Sequence, residues 1–297
     1  MNTRVSSNKP WLLVILVDSS HSMGADWGAS RGSMSKHVTD AVNNTIYELA
    51  VDHCVSSEEV KDRIDLSVLS YGGDSSSWAL PTSPTPEGFS KAGGSDGWVT
   101  GYRGIYSQNG QDIPYWIEID PNGSTPMREA IIRASEIVKK HCELFPDSFP
   151  PTVINISDGE PTDSGDPINW DDLERECQSI TACSTNNGKA IFCNVHLDPL
   201  GEEEILLYPE KPGTSEHQRG LWRMSSEVPN DLYPLLFSEG LDETSSNRRF
   251  YVYNADLPAF QKFLKFGTRR TELHHSALPD DEESKEIIDA EFSVEEE

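Results

Sequence analysis

Apolar residues fill positions 11 to 17 without a break, and the run stops on Asp18. An unbroken apolar stretch of that length, closed by polar residues, reads as a strand buried on both faces, the kind found inside a parallel sheet. Beyond it, Val38, Val42, Ile46, Leu49 and His53 recur every three or four residues and predict an amphipathic helix over about 35–54. Ile64, Leu66 and Val68 alternate with Asp65 and Ser67, giving a second strand that ends at Gly72-Gly73, with 78–80 as its short antiparallel partner. Order resumes over 115–120, and Thr125-Pro126 then opens a helix with Thr as N-cap and Pro in the first position. Ile131, Ala134, Val138 and Cys142 line one face of that helix, which ends near Phe145-Pro146. Further strands are expected at 152–157, 190–197 and 250–253, and further helices at 171–180 and 257–266. This alternation predicts an α/β protein: a doubly wound, Rossmann-like, mostly parallel central sheet with one short antiparallel edge strand and helices on both faces.

From about 73 to 114 the composition shifts to Gly, Pro, Ser and scattered aromatics, including Trp78, Phe89, Trp98, Tyr102 and Tyr106. The shift marks an insertion. Two uses suit it, a specificity surface with aromatic anchors or a self-packed cover for the sheet edge. With 297 residues, 36% hydrophobic and 9% aromatic, the chain has material for one domain over 1–273, followed by a tail over 274–297. Residues 280–297 hold ten acidic side chains and a single basic one, Lys285. Such a run reads as a disordered, solvated tail, a docking arm for a basic partner, or a tethered pseudo-ligand.

Charge and cysteine usage narrow the setting. The 24 basic and 50 acidic residues leave a formal charge of −26, so a nucleic-acid backbone is repelled. The run at 11–17 is too short to span a bilayer and leads to no small-residue cleavage site. Five irregularly spaced cysteines suggest no disulfide framework. The Asn-x-Ser/Thr sequences at Asn43, Asn122 and Asn155 fall in a helix, beside a loop and in a core strand. All of this points to a cytoplasmic protein with neither nucleic acid nor membrane as partner.

The chemistry concentrates where strands end. Asp18 is followed by hydroxyls at Ser20 and Ser22, and a carboxylate with two alternate hydroxyls in one tight loop offers hard oxygen ligands to a Mg²⁺-like ion. A second strand ends just before Asp158-Gly159, and in a doubly wound sheet both ends open on one carboxyl edge. Thr125, at the start of a helix, belongs to that edge as well. Together Asp18, Ser20, Ser22, Thr125 and Asp158 form a three-part oxygen site.

Asp18-Ser19-Ser20-His21-Ser22, Thr125 within Gly-Ser-Thr-Pro-Met, and Ser157-Asp158-Gly159, in that order, resemble the three parts of the metal-ion-dependent adhesion site of von Willebrand factor type A domains. The resemblance covers roughly 11–267, and the run from Asp158 through Glu160, Thr162 and Asp163 is similar to the cytoplasmic bacterial, TerY-like branch. It implies that Ser20 and Ser22 coordinate Mg²⁺ directly and Thr125 directly or through water. Asp18 and Asp158 then act directly or as anchors that hold waters. Mn²⁺ and Ca²⁺ are the alternative ions. The open position is left for an Asp or Glu of a protein partner. The implied function is a metal-dependent protein-binding module, a regulator or scaffold and not an enzyme. The companions implied are a PP2C-type phosphatase, a Ser/Thr kinase or a MoxR-type AAA+ ATPase.

His21 departs from the pattern, since many relatives have Gly there; a gate or contact residue and an exposed His on a tolerant loop are the two readings. The rival function is a Mg²⁺-dependent hydrolase acting on a phosphoester or nucleotide. It lacks a visible base or phosphate clamp, and no Ser-His-Asp arrangement stands out. Cys193 and His196, with Cys177 and Cys183 nearby, sketch a zinc site. Alternation puts Cys193 and His196 on opposite faces of one strand, which favours buried thiols instead.

Overall fold

All eight residues of the strand Trp11–Asp18 (β1) are buried, the signature of a strand with helices packed on both of its faces. The computed structural model describes residues 5–28, 32–56, 59–60, 63–73, 75–78, 90–91, 106–108, 111–113, 116–198, 204–238 and 247–268. The acidic tail and most of the 73–114 insertion lie outside these residues.

β1 belongs to an eight-stranded sheet. Its other members, in chain order, are β2 (Ile64–Gly72), β3 (Ser75–Trp78), β4 (Ser90–Lys91), β5 (Phe149–Ser157), β6 (Ile191–Leu197), β7 (Leu206–Leu207) and β8 (Tyr251–Ala255). Strands β2, β1, β5, β6 and β8 lie side by side in that order and run parallel. An antiparallel partner of β2 is present as β3, which shares only Trp78 with the stretch expected over 78–80, of which 79–80 lie outside the described residues. β4 and β7 add two more short antiparallel pairings. The fold is therefore α/β and Rossmann-like, with a mostly parallel sheet. Strand order turns back at β1, whose neighbours are β2 and β5. A crevice forms at the carboxyl ends of parallel strands where the order changes in this way.

Alternation along β1 divides the core in two. Leu13, Ile15 and Val17 face α1 (Met34–Leu49) through Val38, Val42 and Ile46, and the last described helix, α6 (Leu257–Thr268), through Phe260 and Phe263. Leu12, Val14 and Leu16 face α2 (Met127–Leu144) through Ala130, Ile131 and Ala134, and α3 (Trp170–Thr181) through Leu173 and Cys177. On this second face α4 (Glu216–Met224) adds Leu221 and Met224. On the first, α5 (Tyr233–Ser238) adds Leu236, ahead of α6. The helix expected over 35–54 is α1 continued by a π turn at Ala50–Cys54.

Buried side-chain amides tie these layers together. Asn43 of α1 accepts from Trp116 N at 2.7 Å and Ile117 N at 3.1 Å, docking the extended segment that leads into α2. Asn155 of β5 accepts from Tyr71 Oη at 2.8 Å and donates to Asn194 Oδ1 at 3.0 Å, which in turn donates through Nδ2 to Ser225 Oγ at 2.9 Å. Pairing of this kind is what makes a buried amide tolerable. Among the described residues no helix is long and apolar enough to cross a membrane.

Candidate metal centre

β1 delivers Asp18 fully buried to the carboxyl edge. The chain then turns tightly: Ser20 N donates to Asp18 Oδ1 at 2.7 Å, and a 3-10 turn follows over His21–Gly24. That turn brings Ser20 Oγ and Ser22 Oγ within 3.0 Å of each other. On the neighbouring strand β5 ends at Ser157, whose hydroxyl donates to Asp18 Oδ2 at 2.6 Å and also takes a hydrogen bond from Gly159 N at 3.1 Å. Both carboxylate oxygens of Asp18 are thereby fixed. Ser22 Oγ donates to Asp158 Oδ1 at 2.9 Å, which joins the first and third segments directly. Asp158 Oδ2 is buried and has no hydrogen-bond partner among the described residues.

Thr125 enters differently from the sequence expectation. It does not cap α2: the helix begins at Met127, Pro126 stands in the cap position, and no side chain of that residue caps it. The cap comes from Asp163, whose carboxylate accepts from Arg128 N at 3.0 Å and Glu129 N at 2.8 Å. An acidic group at a helix start satisfies otherwise orphaned N–H groups and complements the helix dipole. Because Asp163 does this, the Thr125 hydroxyl is spared. Thr162 holds the Thr125 backbone instead, accepting from Thr125 N at 3.0 Å and donating its own N–H to Thr125 O at 2.9 Å.

The three segments converge beside Gly159. A Cβ built there would stand 3.5 Å from Thr125 Oγ1, 3.9 Å from Asp18 Oδ2 and 4.0 Å from Ser22 Oγ. One point on the third segment thus lies close to oxygens of the other two, and glycine leaves it open. The electrostatics suit a cation. Burial raises Asp18 to about 6, against the hydrogen bonds of Ser157 and Ser20, and the Asp158 carboxylate raises it further. Burial also raises Asp158, opposed by the Ser22 hydrogen bond. Two carboxylates held in a poorly solvated spot, with neutral hydroxyls around them, are a donor set for a hard divalent ion. The five residues read from the sequence therefore meet at one place. Among the described residues no group of three or more His, Cys, Asp or Glu is arranged to hold a metal ion; this centre draws most of its oxygens from hydroxyls.

His21 is exposed, and its N–H donates to Gly123 O at 3.0 Å. The only described non-glycine residues at positive φ are Tyr208 and Asn254, so His21 imposes no left-handed strain on the loop. Cys193 packs in the first-face core, while His196 stacks on Tyr253 with ring centroids 4.2 Å apart and lies 5.0 Å from the His217 ring. Burial pushes His196 down to about 3 and His217 down to about 4. None of the five cysteines forms a disulfide with another described residue.

One constellation was hidden in the sequence. At the opposite, amino edge of the sheet, His141 Nδ1 stands 3.2 Å from Asp65 Oδ2, and His141 Nε2 stands 3.2 Å from Ser148 Oγ. All three residues have zero exposure. Ser157, Thr162 and Asp163 also went unassigned; the strand end and the acidic-hydroxyl run after Asp158 were the signals that could have found them.

No family model matches the chain, and no curated protein matches it. Among solved structures it is similar to the PilB minor pilin from Streptococcus sanguinis, with 10% identity and a TM-score of 0.48 over 91% of this chain and 64% of that one. The chain thus spans less than two thirds of that protein, and a likeness of this degree adds nothing to the reading of the site.

Proposed function

We propose that this chain is a metal-dependent protein-binding module of the von Willebrand factor type A kind, a regulator or scaffold in which a Mg²⁺ ion grips an acidic side chain of a protein partner. Asp18, Ser20, Ser22, Thr125 and Asp158 would hold the ion. The observation that carries the reading is the convergence of Thr125 Oγ1, Asp18 Oδ2 and Ser22 Oγ within 4.0 Å of one point beside Gly159. When bound, the ion supplies an electrophilic centre that neutral hydroxyl ligands do not quench, so it accepts a further anion. The protein's own groups do the rest: Ser157 and Ser20 N orient Asp18, Ser22 links to Asp158, and Thr162 with Asp163 hold the start of α2.

We assign the protein to the cytoplasm, with support from five cysteines that sit at irregular spacings and form no disulfide with another described residue. The partner classes suggested by the resemblance are a PP2C-type phosphatase, a Ser/Thr kinase or a MoxR-type AAA+ ATPase. The test is capture of such partners on the intact chain with and without EDTA. Capture should require the ion and vanish in Asp158→Ala and Thr125→Ala variants that remain folded. Capture that survives EDTA contradicts the reading. Mg²⁺-dependent turnover of a phosphoester that is lost in Asp158→Ala would replace it with the hydrolase.

A further inference from the structure

The insertion begins at Gly72-Gly73, where β2 ends, the chain comes back toward α2 at Asn122, and these two points touch. Gly73 N donates to Asn122 O at 2.5 Å and Ser124 N donates to Gly73 O at 3.2 Å. Ser124 Oγ donates to the same Gly73 carbonyl. The first segment of the centre is bound into this knot, because Asn122 N donates to Ser19 O at 2.6 Å and His21 N to Gly123 O at 3.0 Å. There is no space inside it for a side chain. A Cβ on Gly123 would stand 2.3 Å from Gly73 Cα, and one on Gly72 would stand 2.4 Å from Ser19 O. Gly123 also has φ at +64°, a conformation that disfavours other residues.

Thr125 is consequently held from two sides that can be separated. Thr162 ties it to the Asp158 segment, and the knot ties the residues just before it to the Asp18–Ser22 segment. We propose that Gly72-Gly73 and Asn122-Gly123-Ser124 form a clasp that positions the Thr125 hydroxyl against Asp18 and Ser22, so that the metal centre is completed through the neck of the insertion. This inference rests on the metal reading above. It makes Gly72, Gly123 and Ser124 positioning residues, since they act on the ion only through Thr125.

The experiment is a double-mutant cycle read by calorimetric titration of Mg²⁺ alone into the intact chain, with urea unfolding in EDTA as a second readout. Gly123→Ala should weaken Mg²⁺ binding about tenfold or more. Thr125→Ala should do the same, and the double variant should be no worse than Thr125→Ala alone, because the clasp has nothing left to position. Ser124→Ala removes one hydrogen bond, keeps the backbone, and should give a smaller loss, roughly threefold, that also disappears in the Thr125→Ala background. If Gly123→Ala does not fold in EDTA, the Ser124→Ala cycle decides alone. Losses that multiply in the double variants overturn the clasp, as does parental affinity in both Gly123→Ala and Ser124→Ala. If the parent chain itself takes up no Mg²⁺, the metal reading is overturned, and the clasp's role with it.

Discussion

The two edges of the same sheet carry similar residues in opposite states. At the amino edge Asp65, His141 and Ser148 line up in the order of a hydrolytic triad, yet all three have zero exposure. At the carboxyl edge Asp18 is equally buried, but Ser22 is exposed and Asp158 only half-buried. The difference lies in access to solvent. Asp65 and Ser148 face the imidazole between them, and this fully buried polar set acts as a pin between β2, α2 and the start of β5. The centre at the other edge leaves Asp158 Oδ2 without a hydrogen-bond partner among the described residues, and burial raises both of its carboxylates. A route to solvent, more than the identity of the residues, separates the candidate site from the buried set.

The largest effect that tests this contrast is at the amino edge. Asp65→Ala strands a buried imidazole and should cost about 3–5 kcal/mol in urea unfolding, while the folded fraction keeps its Mg²⁺ affinity. A loss of Mg²⁺ uptake in folded protein would break the separation of the two edges.

The same kind of change at Asp18 should act in the opposite direction. Asp18→Asn abolishes Mg²⁺ uptake but should stabilise the metal-free chain near neutral pH by up to about 3 kcal/mol. The sign follows from the protons. Between 3.8 and about 6 the native Asp18 holds a proton that the unfolded chain has released, so the parent's stability falls as pH rises through that window. The gap between Asp18→Asn and the parent should therefore be small below 3.8 and reach its full size above about 6. His196 and His217 act in the other sense, losing their contribution as pH falls below 6.5 toward about 3 and about 4 respectively. Both proteins carry them, so they cancel in the difference. Urea melts in EDTA across this range measure it, and a destabilised Asp18→Asn at neutral pH would refute the account of Asp18.

The smallest effect belongs to His21. His21→Gly should cost about 0.5–1 kcal/mol through backbone entropy and leave Mg²⁺ affinity within roughly twofold, because His21 contributes a backbone N–H that glycine also has. A larger change in affinity by calorimetry would make the side chain part of the centre.

Much of this was legible in the sequence because the elements are strongly periodic. β1 was readable from its unbroken apolar run, α1 from the spacing of Val38, Val42 and Ile46, and β5 and β6 from short apolar stretches ending in polar residues. That the five residues proposed for the centre share one edge could be read because each follows the end of a strand or stands beside the start of a helix. Reading Thr125 as a helix cap failed because the true cap, Asp163, comes from another loop, a tertiary substitution that local pattern does not reveal. The amino-edge set was invisible for the same reason, since Asp65, His141 and Ser148 meet only across β2, α2 and β5. The segment between β6 and β8 received no assignment, although Ser215 and Gln218 form a capping box at the start of α4 that the S-x-x-Q spacing announces.

The most direct test of the metal centre is an anomalous difference map from crystals of the intact chain soaked in Mn²⁺ in place of Mg²⁺. The account predicts a peak at the carboxyl edge among Asp18, Ser20, Ser22, Thr125 and Asp158, beside Gly159, that is lost in Asp158→Ala. A well-ordered site with no peak there, or a peak that Asp158→Ala leaves unchanged, would contradict it.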